Sequence, residues 1–411
     1  MSLNLKLSGL LFIFSLVIKF AALIYTDGFE REPLEDSLSY HNHAKAIYYG
    51  QGFGDNGGKQ YEELVESSTR PPALPYILAG LYEAFEPKPW IGRIFNIVVG
   101  SLATFVVFLL CFEICQNRKI ALFPSIIFLL YPPANYFSVH LLTETLASFF
   151  CITATYFFLI SLKQNRLSAY VLFGIFSGLL VLTRSQFLLL LPFLFFAVFS
   201  LNYFLDTKNH MSLKSVFFSF LAFILILTPW TIRNYSIHDS FMPTTSRLGY
   251  MIYLSNHDLE DPEILRGGYS RNAFLNGNYI NSFKESEKSA VYMSEVVKEV
   301  SDNPLKIIRP MIMRTINNLS YRPNPYKKDY SYSDLIMFFI WIPILLMFFL
   351  SLRHSRKEDN WIFFAIIFYN LAVCLPFWGT PRLRFPVDAL FIICASMPYI
   401  YSKSLRAKKS G

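Results

Sequence analysis

Along the 411 residues, apolar runs of near-uniform length recur, separated mostly by short polar breaks and twice by long ones. A helix rises about 1.5 Å per residue, so crossing about 30 Å of hydrocarbon takes roughly 20 mostly apolar residues. The pattern predicts ten spans, at 7–26, 90–115, 120–139, 141–162, 168–184, 186–205, 214–232, 334–352, 360–378 and 386–402. The long breaks, 27–89 and 233–333, are polar loops large enough to carry structure of their own. In the first, glycines at 50, 52, 54, 57 and 58 mark a flexible stretch, followed by Arg70-Pro71-Pro72 and an amphipathic piece from Leu74 to Phe85 suited to a membrane surface. In the second, Ser282 with Glu285 makes a capping box opening a helix to about Val300, and Pro304 restarts a helix toward Leu319.

The basic residues orient this pattern, because short loops rich in Lys and Arg stay in the cytoplasm. Alternate connections carry Arg118 and Lys119, Lys163 and Arg166, Lys208 and Lys214, then Arg353, Arg356 and Lys357. With Lys6 ahead of the first span and a basic C-terminal tail, both termini read as cytoplasmic and both long loops as extracytoplasmic. Lys6 followed by Leu10 to Ile18 has the outline of a signal peptide, but Lys19 interrupts the run and no small-x-small cleavage site follows. Lys19 is expected to reach an interface or to pair with an acid inside the bundle. The fold class is therefore an all-α polytopic membrane protein with a small, mostly helical extracytoplasmic lobe. Its parts are an N-terminal transmembrane module over 1–232, the lobe over 233–333, and C-terminal transmembrane helices with a basic tail over 334–411.

Composition supports this reading, with 53% hydrophobic and only 16% charged residues. The net charge of +8 sits largely in the orienting loops, so it points to membrane lipids and not to nucleic acid. The five cysteines all lie inside apolar runs, away from any zinc or disulfide pattern, and Gly174 with Gly178 forms a G-x-x-x-G that admits close helix approach.

Candidate chemistry comes from the charges that break the orientation rule. Arg70, Arg93, Arg184, Arg233, Arg382 and Arg384 all fall at extracytoplasmic ends of spans or in nearby loops, where Arg should be scarce. Guanidinium groups gathered at one membrane edge suit an anionic partner, and bidentate phosphate recognition suits Arg in particular. A phosphate at that depth suggests a lipid phosphate; headgroup binding or pairing with extracytoplasmic acids is the plainer alternative. Among acids at the same level, Asp36 follows the first span and Glu144 opens the fourth. Beside several Arg a carboxylate stays ionised, which suits a base taking a proton from a hydroxyl, and equally suits a counter-ion. For Glu144 a positioning role is favoured. His41 and His43 near Glu35 and Asp36 make a divalent cation a minor candidate, although i and i+2 diverge on a helix.

Taken in order, these residues resemble the polyprenyl-phosphate-sugar-dependent membrane glycosyltransferases of the GT-C superfamily, most closely the protein-mannosyltransferase and aminoarabinose-transferase branch, glycosyltransferase family 39-like. The matching features are Asp36 with Tyr40 and Ala44, Gly50-x-Gly52-Phe53, Arg70-Pro71-Pro72-Ala73-Leu74-Pro75, Arg93 with Asn96, and Thr143-Glu144. They continue with Leu182-Thr183-Arg184, Pro229-Trp230-Thr231-Ile232-Arg233-Asn234 and Arg382-Leu383-Arg384-Phe385-Pro386. The resemblance implies a GT-C bundle that passes a sugar from a polyprenyl-phosphate carrier to a hydroxyl of a glycan, lipid or protein acceptor, with inversion, on the extracytoplasmic side of a bacterial inner membrane. It implies Asp36 as the base and Arg184, Arg233 and Arg384 first, then Arg93 and Arg382, as phosphate ligands. Glu35, Tyr40, Arg70 and Glu144 complete the expected substrate-binding set. Two other classes stay open on the residues alone, a lipid-linked-sugar transporter or flippase and a non-catalytic scaffold, though the near absence of midplane charge disfavours transport.

Overall fold

The computed structural model describes residues 3–57, 64–205, 212–270, 283–326, 329–354 and 360–409. Gly58, Ser282 of the expected capping box, and Lys208, Arg356 and Lys357 of the orienting loops lie outside the described residues. No β-strand occurs among the described residues, and one isolated bridge joins Gly54 to Glu66.

The chain begins with α1 (Leu3–Tyr25), α2 (Glu35–Tyr48), α3 (Ala73–Phe85) and α4 (Pro89–Cys115). It continues with α5 (Arg118–Leu130), α6 (Pro132–Ser138), α7 (Glu144–Gln164), α8 (Leu167–Thr183), α9 (Leu190–Leu205) and α10 (Leu213–His238). The lobe follows as α11 (Leu248–Asn256), α12 (Pro262–Leu265), α13 (Glu285–Asp302) and α14 (Ile308–Asn318). The last membrane helices are α15 (Tyr332–Ser351), α16 (Trp361–Val373), a single turn α17 (Pro381–Arg384) and α18 (Asp388–Lys409). Local signals set several ends: Asn117 Oδ1 accepts from the Lys119 and Ile120 amides to open α5, and Ser331 and Asp334 bond reciprocally to open α15. At α13 the Glu287 carboxylate accepts from the Lys284 amide, one turn into the helix.

Among the described residues six helices are long and apolar enough to cross a membrane, or seven if α5 and α6 form one bent span. The chain is an integral membrane protein. Each of the ten expected spans is present in order as an apolar helix or helix pair, though not all have the length to cross unaided. The run at 120–139 breaks by 55° because Pro132 forces Tyr131 out of the helical region, to ψ 115°. Helices α8, α9 and α16 have 17, 16 and 13 residues, short of the roughly 20 needed to span unaided. Two of them stop early: α8 ends as Arg184 adopts an extended conformation, and α16 gives way to the turn that leads to α17.

The core is one apolar cluster running through α4, α7, α8, α15, α16 and α18. Helix α3 buries Leu74, Leu78 and Tyr82 against it while Tyr76 and Phe85 stay exposed. Lys19 meets no acid among the described residues: it is buried, and its ammonium donates to Ser15 Oγ (2.8 Å) and Asn135 Oδ1 (3.2 Å). The G-x-x-x-G on α8 meets α10, where a Cβ at Gly174 would fall on the Ser219 carbonyl oxygen and one at Gly178 would lie 2.8 Å from Ile226 Cβ. Gly174→Leu should therefore cost about 1–3 kcal/mol by overpacking and lower the melting temperature in detergent, whereas Gly9→Leu, with open space around it, should leave the melt unchanged.

The lobe has a small core of its own, in which Tyr253 and Leu254 of α11 pack on Tyr292 and Val296 of α13. It sits on the end of the bundle where α1 ends and α4 and α7 begin, called here the lobe side.

Candidate active site

Helix α2 opens at Glu35, whose positive φ of 50° is uncommon for a side chain other than Gly, and the next residue is Asp36. Asp36 Oδ1 accepts from Arg70 Nη2 at 2.8 Å and Oδ2 from Arg382 Nη1 at 2.7 Å. Arg70 is set by its neighbours: Nε donates to Ser39 Oγ at 3.2 Å, and its guanidinium lies 5.3 Å from the centre of the buried Tyr40 ring. Arg382 rides on α17, whose preceding Thr380 caps the turn by accepting from the Arg382 amide. Beyond Asp36, Arg382 Nε donates to Glu144 Oε1. The same oxygen accepts from Arg184 Nη2 at 2.7 Å. Glu144 is the first residue of α7, where the helix's free amides and dipole favour a negative charge.

The result is one continuous chain of charge, Arg70–Asp36–Arg382–Glu144–Arg184, assembled from five segments far apart in sequence. Guanidinium groups outnumber carboxylates in it. Glu144 is fully buried, while Asp36 and Arg382 keep 32% and 37% of their side-chain surface exposed, so the network opens at the Asp36 end. Glu144 Oε2 and Arg184 Nε have no hydrogen-bond partner among the described residues. Burial raises the Asp36 carboxyl, but Arg382 and Arg70 together outweigh it and hold the group down at about 2. A further cation stands near: burial and then the charge of Arg70 push the proton affinity of Arg247 down, and it is in ion-pair contact with no carboxylate among the described residues. Its guanidinium lies over the Tyr250 ring at 5.6 Å. Sequence reasoning missed Arg247, which lies in the long lobe loop and outside every motif.

The structure thus brings together Asp36, Tyr40, Arg70, Glu144, Arg184 and Arg382. It turns the other arginines mainly onto backbone carbonyls, although Arg384 also pairs with Asp388 and Arg233 with Glu66 at 3.4 Å. Arg93 donates to the Gly28 and Arg31 carbonyls, both at 2.6 Å, and so fastens the segment after α1. Arg384 is buried, donates to Asp388 Oδ1 (2.7 Å) and to the Asn318 carbonyl (2.6 Å), and lies 3.6 Å over the Trp341 ring. Arg233 donates to the Ser67 and Phe53 carbonyls, both at 3.0 Å, and to Ser68 Oγ at 2.7 Å, with Trp230 beneath it at 4.8 Å. Glu35 is exposed and makes no ion pair among the described residues. Arg233→Ala should accelerate amide exchange in residues 64–69 by on the order of tenfold to a hundredfold, the factor for about 1.5–3 kcal/mol of lost charged hydrogen bonds.

The two histidines do not converge. His41 Nδ1 pairs with the Tyr82 hydroxyl at 2.8 Å, and burial, Lys45 and Arg93 push its pKa down to about 4. His43 Nδ1 faces the Ser39 carbonyl at 2.8 Å. Among the described residues no three His, Cys, Asp or Glu side chains gather as a cation site, and each Asp36 oxygen already holds a guanidinium.

Residues 69–231, which carry Arg70, Glu144 and Arg184, match the family described as dolichyl-phosphate-mannose-protein mannosyltransferase. Among curated proteins none matches the chain. Among solved structures, the archaeal oligosaccharyltransferase AglB from Archaeoglobus fulgidus, in complex with an inhibitory peptide and a dolichol-phosphate, is 13% identical with a TM-score of 0.60, over 100% of this chain and 52% of that one. The Archaeoglobus fulgidus oligosaccharyltransferase tethered by a disulfide to an acceptor peptide containing the NVT sequon is 11% identical with a TM-score of 0.56, over 95% and 49% of the two chains. ArnT from Cupriavidus metallidurans bound to undecaprenyl phosphate is 14% identical with a TM-score of 0.45, over 95% and 78%. The chain spans about half the length of the two archaeal proteins it matches. Residues 69–231 therefore match the family described as dolichyl-phosphate-mannose-protein mannosyltransferase, on a chain that shares its fold with the archaeal oligosaccharyltransferase.

Proposed function

We propose that the chain transfers a sugar from a polyprenyl-phosphate carrier to an acceptor hydroxyl, with inversion, at the lobe side of the membrane. The observation that carries this reading is the Arg70–Asp36–Arg382–Glu144–Arg184 network, in which guanidinium groups exceed carboxylates at one edge of the bundle. That the archaeal enzyme sharing the fold was solved with dolichol-phosphate supports a lipid phosphate as the anion. The lobe side is extracytoplasmic in this reading, both termini are cytoplasmic, and the membrane is a bacterial inner membrane. The N-terminal module 1–232 supplies Asp36, Arg70, Glu144 and Arg184, the lobe 233–333 supplies Arg247, and the C-terminal helices 334–411 supply Arg382.

In the reaction the acceptor oxygen attacks the anomeric carbon while its proton passes to an Asp36 oxygen. The bond from that carbon to the phosphate oxygen breaks, and its electron pair stays on the phosphate. Negative charge therefore grows on a phosphate oxygen, where fixed guanidinium groups stabilise the transition state more than the ground state. Arg382 and Arg184 are the proposed ligands, with Arg70 and Arg247 at the open end. Arg93, Arg233 and Arg384 hold the scaffold that places them. Without substrate, Asp36 is a poor base because two guanidinium groups hold its proton affinity down. A phosphate that draws Arg382 away removes much of that restraint, so substrate binding itself prepares the base.

The test is release of free polyprenyl phosphate from a labelled polyprenyl-phosphate-sugar pool in membranes containing the protein. Release that requires the protein and an acceptor is the expected result. Translocation of the labelled lipid without cleavage would overturn the reading in favour of transport.

A further inference from the structure

Helix α14 is amphipathic the wrong way round for a helix resting on a lobe in water. Ile308, Ile312 and Ile316 share one face at i, i+4 and i+8 and are 50–55% exposed, and Leu305 just before them is 78% exposed. The opposite face buries Arg314, Asn317 and Asn318. That polar face bonds mostly inside the protein: Arg314 donates to the Ser255 and Leu375 carbonyls and to Asn256 Oδ1, and Asn317 Nδ2 donates to the Arg266 carbonyl, while Arg314 Nε and the Asn318 side-chain amide are buried without a hydrogen-bond partner among the described residues. Among the described residues no protein group covers the exposed half of the isoleucines.

What does cover them follows from depth. The Leu319 carbonyl at the end of α14 accepts from Trp341 Nε1 at 2.7 Å, and Trp341 lies nine residues, about 14 Å, along the spanning helix α15. Tyr321 meets the Phe338 ring at 5.3 Å, and Arg384, inside the last spanning segment, donates to the Asn318 and Ser320 carbonyls. Three independent contacts thus tie the C-terminal end of α14 to the first half of the spans. On α15 the exposed residues of that half past its first turn are Leu335, Ile336, Phe338 and Phe339, a face that only hydrocarbon would cover. Arg309, exposed between Ile308 and Ile312, is placed to reach toward lipid headgroups.

We infer that α14 lies in the lobe-side leaflet, with Leu305, Ile308, Ile312 and Ile316 against lipid acyl chains and its polar face against the lobe. It is an interfacial helix that dips inward toward its C-terminal end, not a surface element of a soluble lobe. The same helix braces the site. A Cβ at Gly379 would fall on the Arg314 backbone, so α14 packs directly on the segment that leads into α17 and Arg382.

The experiment is spin labelling of the full chain in phosphatidylethanolamine and phosphatidylglycerol vesicles, with single cysteines replacing Ile312, Phe339 and Ser294 in turn. The native cysteines are buried apart from half-buried Cys115, which is replaced by Ser in the background. Phe339, exposed on α15, reports hydrocarbon, and Ser294, exposed on α13, reports water. At 312 the label should collide with oxygen several-fold more often than with a water-soluble nickel chelate, as at 339, with the order reversed at 294. A label at 312 that behaves like the one at 294 overturns the inference. Should Ile312→Cys fail to fold, Ile308→Cys gives the same readout. None of these outcomes depends on which reaction the site performs.

Discussion

Asp36→Asn should lower sugar transfer by about 10²–10⁴-fold, the contribution of a positioned general base, while the protein remains folded. Folding survives because Asp36 sits at the open end of its network, and an Asn oxygen still accepts from Arg70 or Arg382. The substitution also separates a base from a counter-ion. If Asp36 merely neutralised guanidinium groups, releasing Arg70 and Arg382 would tighten donor binding, lower KM and leave kcat near wild type. If it is the base, kcat falls and the tighter binding does not rescue it. The pH profile gives a second readout. In the free protein Arg382 and Arg70 prevail over burial and hold the carboxyl at about 2, so kcat/KM has no acid limb from Asp36 at any pH above that. Once phosphate draws Arg382 away, the group moves back toward its ordinary 3.8, and kcat should acquire an acid limb near pH 4 that Asp36→Asn abolishes. The sign for stability is equally definite. A depressed carboxyl contributes stability that is complete above about 3.8 and is lost as pH falls toward about 2, so acid sensitivity from this pair is confined below about pH 4.

The members of this network were legible because they violate a membrane rule: acids and arginines at a lobe-side edge have no reason to be there unless something holds them. What the chain could not disclose is where each guanidinium points. Arg382 and Arg384 stand two residues apart on one turn, a separation that puts them on different faces of a helix. One joins Asp36 and Glu144, and the other is driven inward to Asp388 and the end of α14. Neither residue type nor spacing ranks them, because the outcome depends on which neighbour offers an acceptor, and most of those acceptors are backbone carbonyls without a sequence signature. Arg93 and Arg233 pair with carbonyls for the same reason. Helix order was legible from apolar run length; the break at Tyr131 was missed inside the expected span 120–139, although Pro132 and Pro133 could have signalled it. The 17-residue length of α8 was legible in the expected span 168–184, but the shortness of α16 was not, since apolar residues continue past its end and only the folded site shows why the chain turns there.

Glu144→Ala should destabilise the protein by about 3–5 kcal/mol, the cost of removing one partner from a buried ion pair. The argument rests on a single oxygen. Glu144 Oε1 accepts from both Arg184 and Arg382, and Glu144 is completely buried, so alanine leaves two guanidinium groups without their shared acceptor. Against a typical total stability of about 5–15 kcal/mol, that loss should appear as aggregation on extraction or as a sharply lowered melting temperature in detergent. Glu144→Gln keeps an acceptor at Oε1 and discards the charge, so it should fold. It should also shift Arg382 further onto Asp36, which remains the nearest carboxylate, and make the guanidinium harder for a phosphate to draw away. Donor KM then rises while the melt stays near wild type. The contrast between the two positions is the strongest constraint on their roles: Asp36→Asn removes turnover and spares the fold, and Glu144→Ala removes the fold and turnover together. A Glu144→Ala protein that melts like wild type would mean that Arg184 and Arg382 are not held by this oxygen, and the positioning assigned to the whole network would fall with it.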